Sequence, residues 1–193
     1  MSNHAYVVTD IEIDGFEPGA NSMRSFASVA VEPGGAELGR FEAVLEPLPG
    51  SAPNPDTLAW FRTQSPEVWR AATENPQPAD TVMTDFARWV QSLGAPAHFV
   101  ASPVAFDGGW IDFYLRRFTS YGLVMGPDAP NPLFTGALCL RSLAAGVTGA
   151  DPATFTVHDL PKSWFGDVPH THRAIDDALG YANLLATLLR KQR

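Results

Sequence analysis

Cysteine is almost missing from this chain: Cys139 is the only one among 193 residues. A single thiol excludes an internal disulfide framework and any zinc site built from several cysteines, and it agrees with a reducing compartment. Basic blocks are missing too. No run of five or more lysines and arginines occurs, the terminal Arg190-Lys191-Gln192-Arg193 being too short, and 21 acidic residues outweigh 13 basic ones for a formal net charge of −8. That balance argues against tight, processive gripping of long duplex nucleic acid, which calls for a basic footprint. There is no apolar run of about 18 residues to span a bilayer and no basic-then-apolar leader. These absences predict a cytoplasmic protein with no membrane partner. What remains is ordinary: 45% hydrophobic and 18% charged residues in 20.8 kDa predict one domain over residues 1–193 with a substantial core.

Alternation of apolar and polar residues predicts three strands in the first 46 residues, AYVVTDIEI, SFASVAVE and GRFEAVLEP, separated by Gly- and Pro-rich turns. A stretch with Pro47, Pro49, Pro53 and Pro55 then leads into helices. Asp56 is placed to cap TLAWFRTQ, and Ser65 to cap SPEVWRAAT with Pro66 at its first helical position. Val82, Met83, Phe86, Trp89, Val90 and Leu93 form a helical stripe that Gly94 ends. AHFVAS reads as a short buried strand and DGGWIDFYLRRFTSYG as a helix. The region from Leu123 to Pro169 is the least regular, with a short helix around Leu138 to Ala145. A long amphipathic helix closes the chain, its stripe running through Ile175, Leu179, Ala182, Leu185 and Leu188. The order predicts an α/β sheet covered by helices on its faces.

Acidic residues recur where that order brings segments together. Asp10 and Glu12 are two apart on the first strand, so both carboxylates share a face. Buried carboxylates are costly unless cations accompany them, although a D-x-E at a strand end is more often an exposed edge. Asp107 follows the strand AHFVAS and opens the next helix, where an acid also suits the helix dipole. His172 and Asp177 are five apart, about 500° along a helix, so His172 belongs at or before the helix start, with Thr171 as its cap. Asp176 points elsewhere. His170 and His172 make an H-x-H pair that, with Asp177, also fits a different metallohydrolase holding zinc. Trp60 and Phe61 fit either base stacking or a helix packed on the sheet. Phe106 adjoins Asp107, and Ser22 and Met23 follow the first turn, where they would border a terminal base.

Taken in order, these segments resemble the motifs of the DEDDh family of 3′–5′ exonucleases. Asp10 and Glu12 match its first motif, Asp107 the second, and His172 with Asp177 the third. HRAIDDALGYANLL is the most specific stretch, and the likeness covers essentially the whole chain. TLAWFRTQSPEVW resembles the W-[WF]-x-x-Q-[ST] region of a phage and exodeoxyribonuclease-VIII-like branch. The first motif departs from the family by continuing Ile13-Asp14-Gly15 where many relatives have Thr-Thr-Gly or Met-Thr-Gly. The resemblance implies a ribonuclease-H-like mixed sheet, three antiparallel strands plus parallel ones, with helices on both faces. It implies two Mg²⁺ or Mn²⁺ ions held by Asp10, Glu12, Asp107 and Asp177, with Glu12 and His172 as catalytic residues and His172 the general base. Ile13, Met23, Trp60 and Phe106 are the implied substrate contacts. The implied substrates are 3′ ends of single-stranded DNA or RNA, released as nucleoside 5′-monophosphates, and many relatives are homodimers. The phage-like segment favours DNA. Oligoribonuclease-type RNA trimming, and a silent nucleic-acid-binding domain of the same fold, are the alternatives.

Overall fold

A computed structural model describes residues 4–126 and 130–192, so Arg193 of the basic terminus lies outside the described residues. Among the described residues five strands form one sheet: β1 (Ala5–Ile13), β2 (Met23–Val31), β3 (Glu37–Val44), β4 (Ala97–Ala101) and β5 (Gly136–Cys139), in the order β3-β2-β1-β4-β5. β2 runs antiparallel to both β1 and β3, while β4 runs parallel to both β1 and β5. The helices are α1 (Pro55–Phe61), α2 (Pro66–Thr73), α3 (Ala79–Ser92), α4 (Val104–Phe118), α5 (Leu140–Thr148) and α6 (Ala174–Lys191). Two 3-10 turns, Val157–Asp159 and Lys162–Phe165, lie between α5 and α6.

The strand period of two sorts side chains into two cores, one on each side of the sheet. Val7, Ile11, Phe26 and Phe99 pack with Phe86 of α3 and Trp110 and Ile111 of α4. Val8, Ala27, Val29 and Val100 pack with Ala144 of α5 and Leu184, Leu185 and Leu188 of α6. Cover on both faces explains why every position of β2 is buried. The hydroxyls of Thr9 and Ser28, opposite one another on β1 and β2, satisfy each other at 2.7 Å.

The structure departs from several local expectations. The α1 cap is Asn54 rather than Asp56: its side chain accepts from the backbone N–H groups of Asp56 and Thr57. Ser65 caps α2 with Pro66 first, as read. Helix α4 begins at Val104, three residues before Asp107, with Pro103 at the N-cap position. The strand β5 has only four residues and a mixed burial pattern, so no alternation announces it; its pairing with β4 is what makes it a strand. In α6 the buried face centres on Ala174, Ala178, Tyr181, Leu185 and Leu188, while Ile175 and Leu179 sit at its margin. Small residues at 174 and 178 let the helix approach the sheet, and a hydrophobicity stripe overlooks them. Thr171 does not cap α6 through its side chain; Arg173 holds the cap position and the Thr171 hydroxyl donates to Asp176 instead.

Phe86 has no solvent exposure and meets Phe26 edge-on at 5.0 Å and Phe134 at 6.3 Å. Phe86→Ala should lower stability by about 3–5 kcal/mol, measured by equilibrium chemical denaturation. A loss under about 1 kcal/mol would show that this core is not packed as described.

Candidate active site

Strand β1 is nine residues long and β4 only five, so β1 outruns its parallel neighbour. Pairing between them stops at Val8–Val100, and Asp10 and Glu12 lie beyond it, at the carboxyl end of β4. Neighbour direction also switches at β1, antiparallel on one side and parallel on the other. Crevices at such switch points are where open sheets of this kind bind ligands. Asp10 and Glu12 share the α6 side with Val8, and α6 brings in Asp177 from its first turn. Carboxylate oxygens of Asp10, Glu12 and Asp177 lie within 4.8 Å of one another.

Asp107 arrives from the first turn of α4, next to Gly108. A Cβ on Gly108 would stand 3.2 Å from Leu123 and 3.4 Å from Phe99, so a larger residue here would press on the Leu123 side chain. Asp107 is buried and acts electrostatically on both Asp10 and Glu12, although its oxygens are not among the three that converge within 4.8 Å. The four acids of the motifs thus come from three elements and share one electrostatic site. Asp112, a turn further along α4, does structural work: its carboxylate binds Arg116 and accepts from the Leu123 N–H, both at 2.7 Å.

The third motif wraps around Asp177. Its carboxylate oxygen takes Nδ1 of His170 at 2.9 Å and the Thr171 N–H at 3.1 Å. His172 precedes α6 on a left-handed bend (φ +58°), and its ring lies edge-on to His170 with centroids 4.5 Å apart. His170, His172 and Asp177 also bring ligand atoms within 4.8 Å, so a nitrogen-containing metal group coexists with the carboxylate one, sharing Asp177. The direct grip of His170 on Asp177 is not legible in the sequence, where the H-x-H spacing shows only that two histidines lie close together. Tyr181, one turn beyond Asp177, faces the same acids: burial, then Asp10, Asp177 and Asp107, push its hydroxyl pKa up. A cavity of about 420 Å³ opens beside Asp177, with His158, Lys162, Phe165 and Tyr181 in its wall.

The charges of the site are out of balance. Burial, and then repulsion from Asp107, Glu12 and Asp177, raises Asp10 well above the usual carboxylate range. Burial, then Asp177 and Asp107, pushes Glu12 up to about 8, and burial pushes Asp107 up to about 7. His170 is raised by its hydrogen bond to Asp177, whereas burial and the neighbouring His170 lower His172, which favours its neutral, proton-accepting form. Buried acids that repel one another, offering oxygen donors only, fit hard divalent cations.

The four implied substrate contacts separate. Trp60 (40% exposed) and Phe106 (37% exposed) present open faces, and Trp60 lies against His172. Met23 is fully buried, its N–H donating to the Tyr114 hydroxyl, so it belongs to the core and borders no open base site. Ser22 is likewise buried, with its N–H on Asp14 at 2.6 Å. Ile13 packs in the same core as Met23 with little exposure. Phe61 is buried, so of the Trp60–Phe61 pair only the tryptophan meets solvent.

The departure after Glu12 has a structural counterpart. The β1–β2 register slips there: Glu12 faces Ser25 and Ile13 faces Met23, leaving Arg24 as the extra residue of a bulge. Arg24 turns to the buried Asp14, 3.6 Å away.

The sheet, with acids converging at its switch point, has the ribonuclease-H-like fold. Within it, the chain belongs to the Rv2179c-like 3′–5′ exoribonuclease family, whose model matches residues 5–189. Direct sequence comparison with curated proteins finds no match. Among solved structures, exonuclease I is similar at 16% identity with a TM-score of 0.64, over 100% of this chain and 41% of that one. An E. coli exonuclease I complex with a dT13 oligonucleotide matches at 15% identity and a TM-score of 0.64, over 100% and 42%. A 3′-exonuclease that recognises the 3′ end of a histone mRNA stem-loop matches at 8% identity and a TM-score of 0.69, over 98% and 83%. The chain thus spans about two fifths of exonuclease I. At these identities the structures share the fold.

The raised acids carry a pH signature. Glu12 titrates near 8 when folded against an ordinary 4.5, and Asp107 near 7 against 3.8, so the fold favours their neutral forms. That contribution is complete below the ordinary values and is lost as pH rises through the folded ones. In a chelator the melting temperature should therefore fall between pH 5 and 8, and Mn²⁺ should raise it more at pH 8 than at pH 5, as thermal melts would record. An equal Mn²⁺ effect at both pH values would show that these acids do not receive the cation.

Proposed function

We propose that the protein is a divalent-metal-dependent 3′–5′ exonuclease that trims the 3′ ends of single-stranded nucleic acid and releases nucleoside 5′-monophosphates. The convergence of Asp10, Glu12 and Asp177, with Asp107 acting on the same charges, carries this reading. Membership of a family described as 3′–5′ exoribonuclease supports it and favours RNA over the DNA preference suggested by TLAWFRTQ.

In this reading Asp10, Glu12, Asp107 and Asp177 hold two Mg²⁺ or Mn²⁺ ions. When bound, the metal supplies a nucleophile at neutral pH and stabilises charge on the leaving 3′ oxygen. His172 takes the proton of the attacking water, for which its lowered pKa keeps it neutral. Phe106, exposed beside Asp107, flanks the terminal nucleotide. The acidic balance of the chain suits an enzyme that grips a few terminal nucleotides rather than long duplex.

The test is a product assay on 5′-labelled RNA and DNA oligomers with Mg²⁺ or Mn²⁺. A ladder shortening from the 3′ end is expected, faster on RNA. His172→Ala should lower kcat by about 10²–10⁴-fold, and Asp177→Ala should leave no turnover above background while the circular dichroism spectrum is unchanged. Full activity in Asp177→Ala would sink the assignment. One tightly bound zinc per chain, with no cleavage, would favour the His170, His172 and Asp177 group instead.

A further inference from the structure

A general base normally owes its ring orientation to a hydrogen bond on its second nitrogen. His172 lacks one. No described residue hydrogen-bonds its ring, and the carboxylate that would be the natural partner, Asp177, is taken by His170. What touches His172 are two aromatic rings. His170 lies edge-on at 4.5 Å and 70°, and Trp60 edge-on at 5.0 Å and 85°. Trp60 comes from α1, more than a hundred residues upstream, while His172 sits on a left-handed bend (φ +58°).

Trp60 is itself braced. It meets Phe61 edge-on at 4.9 Å, Phe61 meets Trp69 of α2 at 4.8 Å, and the guanidinium of Arg24 stands over Trp69 at 5.9 Å. Arg24 is the bulged residue paired with Asp14, two positions after Glu12. A continuous row of contacts therefore runs from the end of the metal-ligand strand to the imidazole. Aromatic pairs favour edge-to-face geometry, so such a row holds a ring angle as well as a position.

We propose that Trp60 is a positioning residue for His172, and that the α1–α2 pair serves as the wall that orients the general base. The inference rests on the exonuclease reading and deepens it. It differs from a role for Trp60 as a stacking platform for a substrate base, which its partial exposure would also permit. A platform acts on substrate binding. A positioning residue acts on turnover, and only when the base is present.

The test is a double-mutant cycle on the full chain with a single-stranded RNA oligomer and Mn²⁺, comparing wild type, W60A, W60F, H172A and W60A/H172A. W60A should lower kcat about 10- to 100-fold with KM changed less than about threefold, W60F should recover most of the loss, and W60A/H172A should match H172A. NMR of the metal-free protein gives a readout independent of activity: the His172 ring resonances, assigned by their absence in H172A, should move in W60A. Thermal melts check that each variant is folded. A rise in KM at unchanged kcat in both backgrounds, additive effects of the two substitutions, or unmoved His172 resonances would overturn the proposal. An inactive wild type whose His172 resonances do move in W60A would instead refute the exonuclease reading and leave the ring contact standing.

Discussion

Four carboxylates crowded into a largely buried space constitute the constraint on which this structure turns. Burial and repulsion from the neighbouring carboxylates raise Asp10 and Glu12, and burial raises Asp107, so all three titrate above their ordinary range. A fold selected for stability alone would have removed such a cluster, because uncompensated buried charge weakens the native state. Its persistence makes sense where cations complete it. The sheet supplies what that requires: a central strand longer than its parallel neighbour, flanked by two helices that each deliver an acid from a first turn.

Those two helices reach the site by different means. Helix α6 lies close because small residues at 174 and 178 face the sheet, and Asp177 falls on that same buried face. Helix α4 packs with Gly108 against Phe99 and Leu123, where a Cβ would stand 3.4 and 3.2 Å from their side chains. In both, the packing that positions the acid is also the packing that closes the core, so site geometry and stability share the same contacts. The acidic overall charge ceases to be an objection to nucleic-acid chemistry once the acids concentrate where cations would sit.

The histidines divide the remaining work. His170 holds Asp177, and the ring of the neutral-leaning His172 has no hydrogen bond from a described residue and lies between two other rings. The bulge at Arg24 links this arrangement back to β1, since the residue displaced by the register slip is the one that reaches Asp14 and covers Trp69. A departure from the family's first motif is therefore built into the support of the site as an ion pair.

Much was determined by the sequence alone. Period-two alternation marked β1 to β3 and put Asp10 and Glu12 on one face, a capping Ser-Pro pair opened α2, and five-residue spacing placed His172 ahead of α6. These are local, and local sterics write them into neighbouring residues. Only tertiary structure decided the rest. The four-residue β5 exists through its partner β4, Met23 and Ser22 are interior because α4 covers them, and Trp60 meets His172 because α1 folds back across more than a hundred residues. Burial, bulges and ring contacts belong to pairs distant in the chain. No single segment carries the information for either partner, so the acids could be read from the sequence and the wall around their histidine could not.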